Sequence, residues 1–231
     1  MNDKLEYPGK ELEIFDKATI WRNYLYLKIK KFIGKNILEV GAGMGSFSKT
    51  YYNNKKKISL SELDNNLVKI LKKRFINYSN VLIKKNFIKN IQSKFDTILY
   101  ISVLEHIKND NKELKLAVSK LKKKGHLVIC VPAHNYMYSK FDKEIGHYRR
   151  YQKKFFNDLK FKNAYVEKCY MLDCIGWLVY FFNKIFFKNE DYPSKTKVQI
   201  WDKFLVPISI LLDFFTFYKF GKNIICIIKK L

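Results

Sequence analysis

The sequence predicts an α/β domain built on a seven-stranded, mostly parallel sheet, with helices on both faces and a helical insertion before the last strand. Two observations support this fold class. Short apolar runs alternate with amphipathic stretches through residues 1–132, which is the pattern of successive strand–helix–strand units. The first apolar run leads into glycine at every second position, ILEVGAGMGSF at 37–47, which is typical of a strand that turns into a helix beside a ligand. We therefore expect a single domain over residues 1–231 that opens with a helical segment at 1–34.

Hydrophobic periodicity predicts the elements of the first half. Residues 11–32 place apolar side chains at helical spacing and predict one leading helix. Short apolar runs predict strands at 35–40, 56–63, 80–86, 95–101 and 126–131. Helices are predicted at 46–53, 65–75 and 111–124, and Gly125 is expected to end the last of them. Because right-handed connections place ligands beyond the carboxyl ends of parallel strands, we expect the functional site at that edge.

The sequence changes character after Pro132. Residues 133–152 are polar, aromatic and basic, with no clear period. The predicted elements beyond them are a helix at 153–163 and strands at 164–172 and 223–230. Residues 174–220 are rich in aromatic residues and lysine, and we expect them to form the helical insertion, as a lid or an interface.

Several features bear on the cellular location. The N-terminal stretch is polar and lacks the apolar centre of a signal peptide. The longest apolar stretch, 204–220, is interrupted by Asp213, so no membrane-spanning helix is expected. The four cysteines show no C-x-x-C spacing and are expected to be free thiols; they are Cys130, Cys169, Cys174 and Cys226. We therefore expect a cytoplasmic protein, with peripheral contact at the inner membrane face as an alternative.

The chain is strongly basic, with 45 Lys and Arg against 21 Asp and Glu, a formal net charge of +24. Such a charge suits nucleic acid, an anionic membrane face or an acidic substrate. Nearly all of it is lysine, and lysine, asparagine and isoleucine are abundant together, so a composition bias of the whole genome is an alternative explanation. Readers of nucleic-acid bases rely on arginine, so nucleic acid is disfavoured relative to an anionic substrate or membrane surface.

The glycine turn points to a particular cofactor. Gly41, Gly43 and Gly45 form G-x-G-x-G, one residue short of the dinucleotide fingerprint G-x-G-x-x-G. Glu39 lies two residues before the first glycine, where a carboxylate suits a cationic ligand better than a pyrophosphate. Glu62 ends the second predicted strand, 19 residues after Gly43, where a carboxylate can accept hydrogen bonds from two ribose hydroxyls. A ligand with a ribose, a cationic amino-acid part and no phosphate fits S-adenosylmethionine better than NAD.

Four segments in this order resemble the class I S-adenosylmethionine-dependent methyltransferases. They are ILEVGAGMGSF, SELDNNLVKIL, FDTILYISVLEHI and LKKKGHLVICVPA, and they span roughly residues 35–135. The later stretch FDKEIGHYRRYQKKFF, 141–156, resembles a bacterial subgroup described as type 11/12-like, with its GHYRRY loop. The resemblance implies a Rossmann-like fold and methyl transfer from S-adenosylmethionine, with S-adenosylhomocysteine as the product.

The resemblance also implies a set of cofactor-binding residues. They are Glu39, Gly41, Ala42, Gly43, Gly45, Glu62, Leu63, Asn86, Phe87 and Ile101. The glycine turn and Glu39 would hold the methionine part, Glu62 the ribose, and Leu63 the adenine, while Ile101 would line the methyl region. Asn86 departs from the aspartate that is common there, although an amide oxygen still accepts a hydrogen bond from the adenine amino group. Gly125 stands alone where the family usually has Pro-Gly-Gly, and one glycine still permits a left-handed helix cap.

The candidate catalytic residues are His147, His106 and Tyr148. Because the sulfonium of the cofactor is already activated, the protein needs to supply alignment and a base for the acceptor. His147 is suited to take a proton from an acceptor hydroxyl. His106 either faces the acceptor or makes structural hydrogen bonds at a helix start. No Asp or His spacing indicates a metal site, so we expect no metal.

The candidate substrate-binding residues are Arg149, Arg150, Trp21 and Arg22. Arg149 and Arg150 either grip a phosphate or carboxylate of the acceptor or anchor their loop through carboxylate pairs. Trp21 and Arg22 lie on the leading helix, where they either cover the mouth of the site or contribute to packing.

The acceptor is inferred from the aromatic, lysine-edged stretches 176–189 and 204–220. They suit a lid that lies on a membrane or encloses a lipid-linked molecule, or else they pack on the sheet or form a dimer contact. We therefore expect a small-molecule or glycan-type acceptor that is anionic and lipid-linked. The alternatives are an RNA methyltransferase, although the N-P-P-Y or D-P-P-Y motif is absent, and a non-catalytic binding protein of this fold. The sequence favours no particular oligomeric state.

Overall fold

Seven strands form one sheet in the computed structural model, which describes residues 6–183 and 192–231. Their order is β3-β2-β1-β4-β5-β7-β6. The strands are β1 Asn36–Val40, β2 Lys57–Ser61, β3 Val81–Lys84, β4 Phe95–Ile101, β5 Leu121–Pro132, β6 Ala164–Leu172 and β7 Asn223–Lys230. β7 runs antiparallel to both of its neighbours, and the other pairings are parallel. This confirms the predicted Rossmann-like, mostly parallel sheet.

Helices cover the sheet and form the insertion. They are α1 Glu11–Phe15, α2 Thr19–Ile29, α3 Ser46–Tyr51, α4 Asn65–Arg74, α5 Asp110–Ser119, α6 Lys140–Glu144, α7 Lys153–Asn157, α8 Cys174–Phe182, α9 Lys195–Ile200 and α10 Val206–Phe215. Single 3₁₀ turns lie at Lys30–Phe32, Ile88–Asn90, Leu104–His106 and Asn135–Met137, and a π-turn at Trp201–Leu205 joins α9 to α10.

The two faces of the sheet carry separate cores, because alternate strand residues point to opposite sides. Leu38 and Tyr100 belong to one buried cluster, and their neighbours Ile37 and Leu99 belong to the other. All four side chains are fully buried. A sheet buried on both faces explains why its strands have continuous apolar sequences rather than alternating ones.

The single leading helix predicted at 11–32 is wrong. α1 ends at Phe15 and α2 begins at Thr19. The guanidinium of Arg22 donates to the carbonyls of Phe15 (2.8 Å) and Asp16 (2.7 Å), so the break between the helices is stabilised by a side chain from the second helix.

The helix predicted at 111–124 is also too long, and Gly125 does not end it. α5 stops at Ser119, and β5 begins at Leu121, which pairs with Phe95 of β4. The left-handed residue in this stretch is Lys124 (φ 62°). A Cβ on Gly125 would lie 2.9 Å from the carbonyl oxygen of Asp96, so glycine allows a close approach between strands here. The helix predicted at 153–163 stops at Asn157.

Two buried carboxylates fasten the insertion to the rest of the fold. Asp213 in α10 accepts hydrogen bonds from the hydroxyl of Tyr24 (2.8 Å) and the backbone N–H groups of Asp173 (2.8 Å) and Cys174 (3.0 Å). Asp173 accepts from the indole N–H of Trp201 (2.9 Å). The stretch 184–191, which falls within the predicted insertion, lies outside the described residues.

The cysteines and the helices agree with two sequence predictions. All four cysteines are free thiols. Within residues 6–183 and 192–231, no helix combines the length and the apolar character that crossing a bilayer requires.

Candidate active site at the carboxyl ends of the strands

The glycine turn between β1 and α3 depends on left-handed backbone at three positions. The φ angles are 63° at Gly41, 55° at Gly43 and 77° at Gly45, a region that side chains with a Cβ rarely adopt. A Cβ at Gly45 would also lie 2.5 Å from the ring of Phe75. Glycine at these positions therefore lets the backbone turn tightly into α3 and lets a ligand approach it closely.

Glu62 is held against this turn by backbone donors. Its carboxylate accepts from the N–H of Gly43 (2.8 Å), Leu63 (2.6 Å) and Asp64 (3.1 Å). The residue is buried, directly after β2. A carboxylate has about four acceptor positions, so one remains for a ligand hydroxyl even with all three donors in place. The residue fits the ribose-binding role that the resemblance implies.

Glu39 lies beneath the turn rather than on its surface. It is buried, and one carboxylate oxygen accepts from the hydroxyls of Ser48 (2.6 Å) and Tyr51 (2.7 Å), both on α3. Burial raises the pKa of Glu39 to about 7, although the two hydrogen bonds oppose the shift. A cationic group bound at the turn would favour the ionised form of this carboxylate.

The remaining predicted cofactor residues gather at the same edge. Leu63 and Ile101 are half-buried after β2 and at the end of β4, and Ala42 is buried in the turn. Asn86 and Phe87 follow β3 and are exposed. The fold therefore brings the whole predicted set to the carboxyl ends of β1 to β4.

The candidate catalytic histidines meet beside this edge. His106 follows β4, and the rings of His106 and His147 lie edge to face with centroids 4.5 Å apart. Nε2 of His147 is 3.8 Å from a carboxylate oxygen of Glu105. The backbone N–H of Tyr148 donates to the carbonyl of Glu105 (2.8 Å), while the Tyr148 side chain is exposed. Burial lowers the pKa of His106 to about 4 and raises that of Glu105 to about 7.

Asp142 organises the loop that carries His147, and the sequence analysis did not single it out. The fully buried carboxylate accepts from Nδ1 of His147 (2.8 Å) and from Nε of Arg150 (3.0 Å). Burial alone would raise its pKa, but these two partners hold the pKa well below its ordinary value. Ser139 and Asp142 also form a capping box at the start of α6, and the S-x-x-D pattern was a readable signal for it.

Both predicted arginines are paired with carboxylates. Arg149 contacts Asp110 (2.7 Å), and Arg150 contacts Asp142 (2.9 Å) and the hydroxyl of Tyr180 on α8 (3.2 Å). Nη1 of Arg150 is buried and has no hydrogen-bond partner among the described residues. Most of these contacts therefore match the alternative in which the two arginines anchor their loop through carboxylates, and Nη1 of Arg150 takes no part in them.

The predicted residues of the leading helix make packing contacts. The ring of Trp21 lies 5.8 Å from that of Trp201, centroid to centroid, and Arg22 secures the end of α1. Sequence analysis missed Tyr7, which precedes α1. Its N–H donates to Asp64 (2.8 Å), and its ring packs 5.5 Å from that of His106. The N-terminal segment thus bridges the cofactor edge and the histidine pair.

The family profile described as a methyltransferase domain matches residues 15–171. This chain belongs to that family. It is an S-adenosylmethionine-dependent methyltransferase, EC 2.1.1.-, with S-adenosylhomocysteine as its product. When bound, S-adenosylmethionine supplies a methyl group that is already activated by the sulfonium. The left-handed turn and Glu62 fit that ligand. No curated protein matches the sequence of this methyltransferase.

Solved structures with the same fold are distant in sequence. Coclaurine N-methyltransferase bound to N-methylheliamine and S-adenosylhomocysteine has a TM-score of 0.59 at 16% identity, over 89% of this chain and 71% of that one. NodS from Bradyrhizobium japonicum WM9, in complex with S-adenosylhomocysteine, has a TM-score of 0.59 at 13% identity, over 97% and 94%. The [4+2]-cyclase SpnF has 0.62 at 13%, over 90% and 80%. At these identities the likeness shows the fold alone.

Replacing Glu39 by glutamine should stabilise the ligand-free methyltransferase more at pH 8 than at pH 5. The folded pKa of about 7 exceeds the ordinary 4.5, so between these values the folded state holds a proton that the unfolded chain has released. Wild-type stability therefore falls as pH rises through this window, and a glutamine cannot lose that proton. We expect a relative gain of roughly 2 kcal/mol, measured by urea unfolding at both pH values.

The matched control is Glu144→Gln, which removes an exposed carboxylate on α6. It should follow the wild-type pH dependence. If Glu39→Gln follows it as well, Glu39 is ionised normally in the folded state and the assigned burial effect is wrong.

Proposed function

We propose that this methyltransferase modifies a small-molecule or glycan-type acceptor that is anionic and lipid-linked. The observation that carries the proposal is that two groups of residues lie at the same edge of the sheet. The glycine turn and Glu62 form the cofactor half, and Glu105, His106 and His147 form the acceptor half. Ile101 lies at the end of β4, between the two halves in sequence. In this account Tyr148 flanks the acceptor, and the docked loop 146–151 supports assignment to the bacterial subgroup with the GHYRRY motif.

The positive charge of the chain supports an anionic acceptor. The formal net charge is +24, and such a field raises the local concentration of anions. Beside the acceptor half, the buried Nη1 of Arg150 has no hydrogen-bond partner among the described residues. It is a charged donor suited to an oxygen of a phosphate or carboxylate.

The insertion supports the lipid-linked character of the acceptor. On and before α10, exposed apolar side chains recur at helical spacing, at Phe204, Ile208, Leu211 and Phe215. The neighbouring Lys203 and Lys219 are exposed, whereas Asp213 of the same helix is fully buried. An apolar face edged by lysines suits an anionic membrane surface. We propose that this face lies on the cytoplasmic surface of the inner membrane.

The insertion also contacts the acceptor half. The guanidinium of Arg150 donates to the hydroxyl of Tyr180 on α8 (3.2 Å) and lies 4.8 Å from the centre of its ring. If the insertion lies on the membrane, its helix α8 would lie next to the loop that carries His147. An acceptor carried on a lipid would then be presented near the cofactor edge.

Replacing Glu62 by glutamine should weaken binding of S-adenosylhomocysteine by about 10- to 100-fold. The amide loses the charge that strengthens the hydrogen bond from a ribose hydroxyl, and one bond to a charged group contributes about 1.5–3 kcal/mol. Calorimetric titration of the purified wild-type and variant chains measures the effect.

Glu144→Gln is the matched control for this change and should bind as the wild type does. Thermal melting of each variant checks that it is folded. Equal affinity of the folded Glu62→Gln variant would contradict the assignment of Glu62 to the ribose.

Replacing both Phe204 and Phe215 by serine should reduce binding to phosphatidylglycerol vesicles at least about tenfold. Each phenylalanine inserted into the interface contributes on the order of 1 kcal/mol or more. Co-sedimentation with phosphatidylglycerol and phosphatidylcholine vesicles measures binding, and the wild type should prefer the anionic ones.

The control is the double change Ile76→Ser and Leu82→Ser, which removes two exposed apolar side chains elsewhere. It should leave vesicle binding intact. Absence of wild-type binding, or an equal loss in both double variants, would contradict the membrane proposal. The membrane proposal would also be contradicted if the protein forms a dimer that the Phe204 and Phe215 changes dissociate and the control changes leave intact.

A further inference from the structure

Three side chains of metal-ligand type converge in the acceptor half. One ligand atom from each of Glu105, His106 and His147 lies within 4.8 Å of the other two. The first two residues follow β4, and the third comes from the loop after α6. Because these segments are far apart in the sequence, residue spacing gave no sign of the group.

The carboxylate of Glu105 is buried without a hydrogen bond from any of the described residues. The residue is fully buried, and neither carboxylate oxygen has a hydrogen-bond partner among the described residues. Buried polar atoms that lack a hydrogen-bond partner destabilise a fold, and folded proteins usually supply a partner for them. The nearby guanidinium of Arg150 is paired with Asp142 instead, so a bound ion is a candidate partner for the carboxylate of Glu105.

His147 is oriented as a metal ligand usually is. The carboxylate of Asp142 accepts a hydrogen bond from Nδ1 of His147 at 2.8 Å, so Nε2 is the ring nitrogen that is left for a metal ion. That nitrogen faces Glu105 at 3.8 Å. Ligand atoms around a four-coordinate Zn²⁺ lie about 3.4 Å apart, so this pair needs to close by a few tenths of an ångström. Across the whole group, whose ligand atoms lie within 4.8 Å of one another, the required closure is at most about 1.4 Å. A carboxylate behind a ligating histidine is the common outer-shell arrangement of such sites.

We propose that Glu105, His106 and His147 bind one divalent first-row transition metal ion, such as Mn²⁺, Co²⁺ or Zn²⁺, and that this ion orients a hydroxyl acceptor for O-methylation. Two imidazoles and one carboxylate match these ions better than Mg²⁺ or Ca²⁺, which prefer oxygen ligands. Three protein ligands leave a position open for the acceptor. The binding site stands on its own geometry, whereas its catalytic role rests on the proposed function. This proposal departs from the sequence-based expectation of no metal.

The ion would act on the acceptor hydroxyl as a Lewis acid. The hydroxyl loses its proton to solvent, and its oxygen forms the new O–CH₃ bond as the S–CH₃ bond breaks. The electron pair of the broken bond stays on sulfur. The products are the methyl ether, S-adenosylhomocysteine and one proton, so charge and atoms balance.

The test is calorimetric titration of the chelator-treated full-length chain with Mn²⁺, with the visible spectrum of the Co²⁺ complex as a second readout. We expect one ion per chain, and at least about 100-fold weaker binding for Glu105→Gln. Because the carboxylate of Glu105 has no hydrogen-bond partner in the described part of the chain, this variant should fold. Mn²⁺ should raise the melting temperature of the wild type and leave that of the variant unchanged. His106→Gln should also weaken binding.

The matched control is Glu167→Gln, because Glu167 pairs with His126 at 3.2 Å on another part of the sheet. It should bind Mn²⁺ as the wild type does. The inference is overturned if the wild type binds no more tightly than Glu105→Gln, or if both glutamine variants lose binding equally.

Titration of the same samples with S-adenosylhomocysteine separates this inference from the proposed function. Cofactor binding without Mn²⁺ binding would overturn the metal site and leave the methyltransferase assignment in place. Mn²⁺ binding without cofactor binding would support the metal site and remove the function proposed for its surroundings.

Discussion

The proposed acceptor side of this methyltransferase depends on the buried carboxylate of Asp142. It pairs with Arg150 and fixes the ring of His147, while it also caps the helix that precedes their loop. Removing one partner of such a buried pair typically costs about 3–5 kcal/mol, because the other charge is left in a low-dielectric interior. The N–H of Tyr148 then joins the same loop to the backbone of Glu105. One carboxylate therefore positions residues from two distant parts of the chain.

The cofactor side depends on backbone geometry rather than on a buried ion pair. The left-handed glycines let the chain turn tightly after β1. The N–H of one of them, Gly43, and two further N–H groups hold the carboxylate of Glu62. Tyr7 connects the two sides through Asp64 and His106. The strand that ends at Ile101 continues directly into Glu105 and His106, so the fold places both sides at one edge of the sheet.

The sequence predicts well those features that depend on short stretches of the chain. The seven strands, the glycine turn and Glu62 follow from short patterns with a direct backbone meaning. The early end of α5 was missed because β5 begins at Leu121, which pairs with Phe95 of β4. Hydrophobic periodicity along the chain does not reveal such a pairing between strands. The convergence of Glu105 with His147 was missed for a similar reason. It requires a loop whose position is set by Asp142, and that contact exists only in the folded chain.

The central claim is that the cofactor edge and the acceptor half form one active site. The most direct test is a crystal structure of the full-length methyltransferase with S-adenosylhomocysteine. The account predicts a ribose hydroxyl on the carboxylate of Glu62 and a thioether sulfur that faces Glu105, His106 and His147. A bound S-adenosylhomocysteine that avoids Glu62, or whose sulfur points away from those three residues, would contradict it.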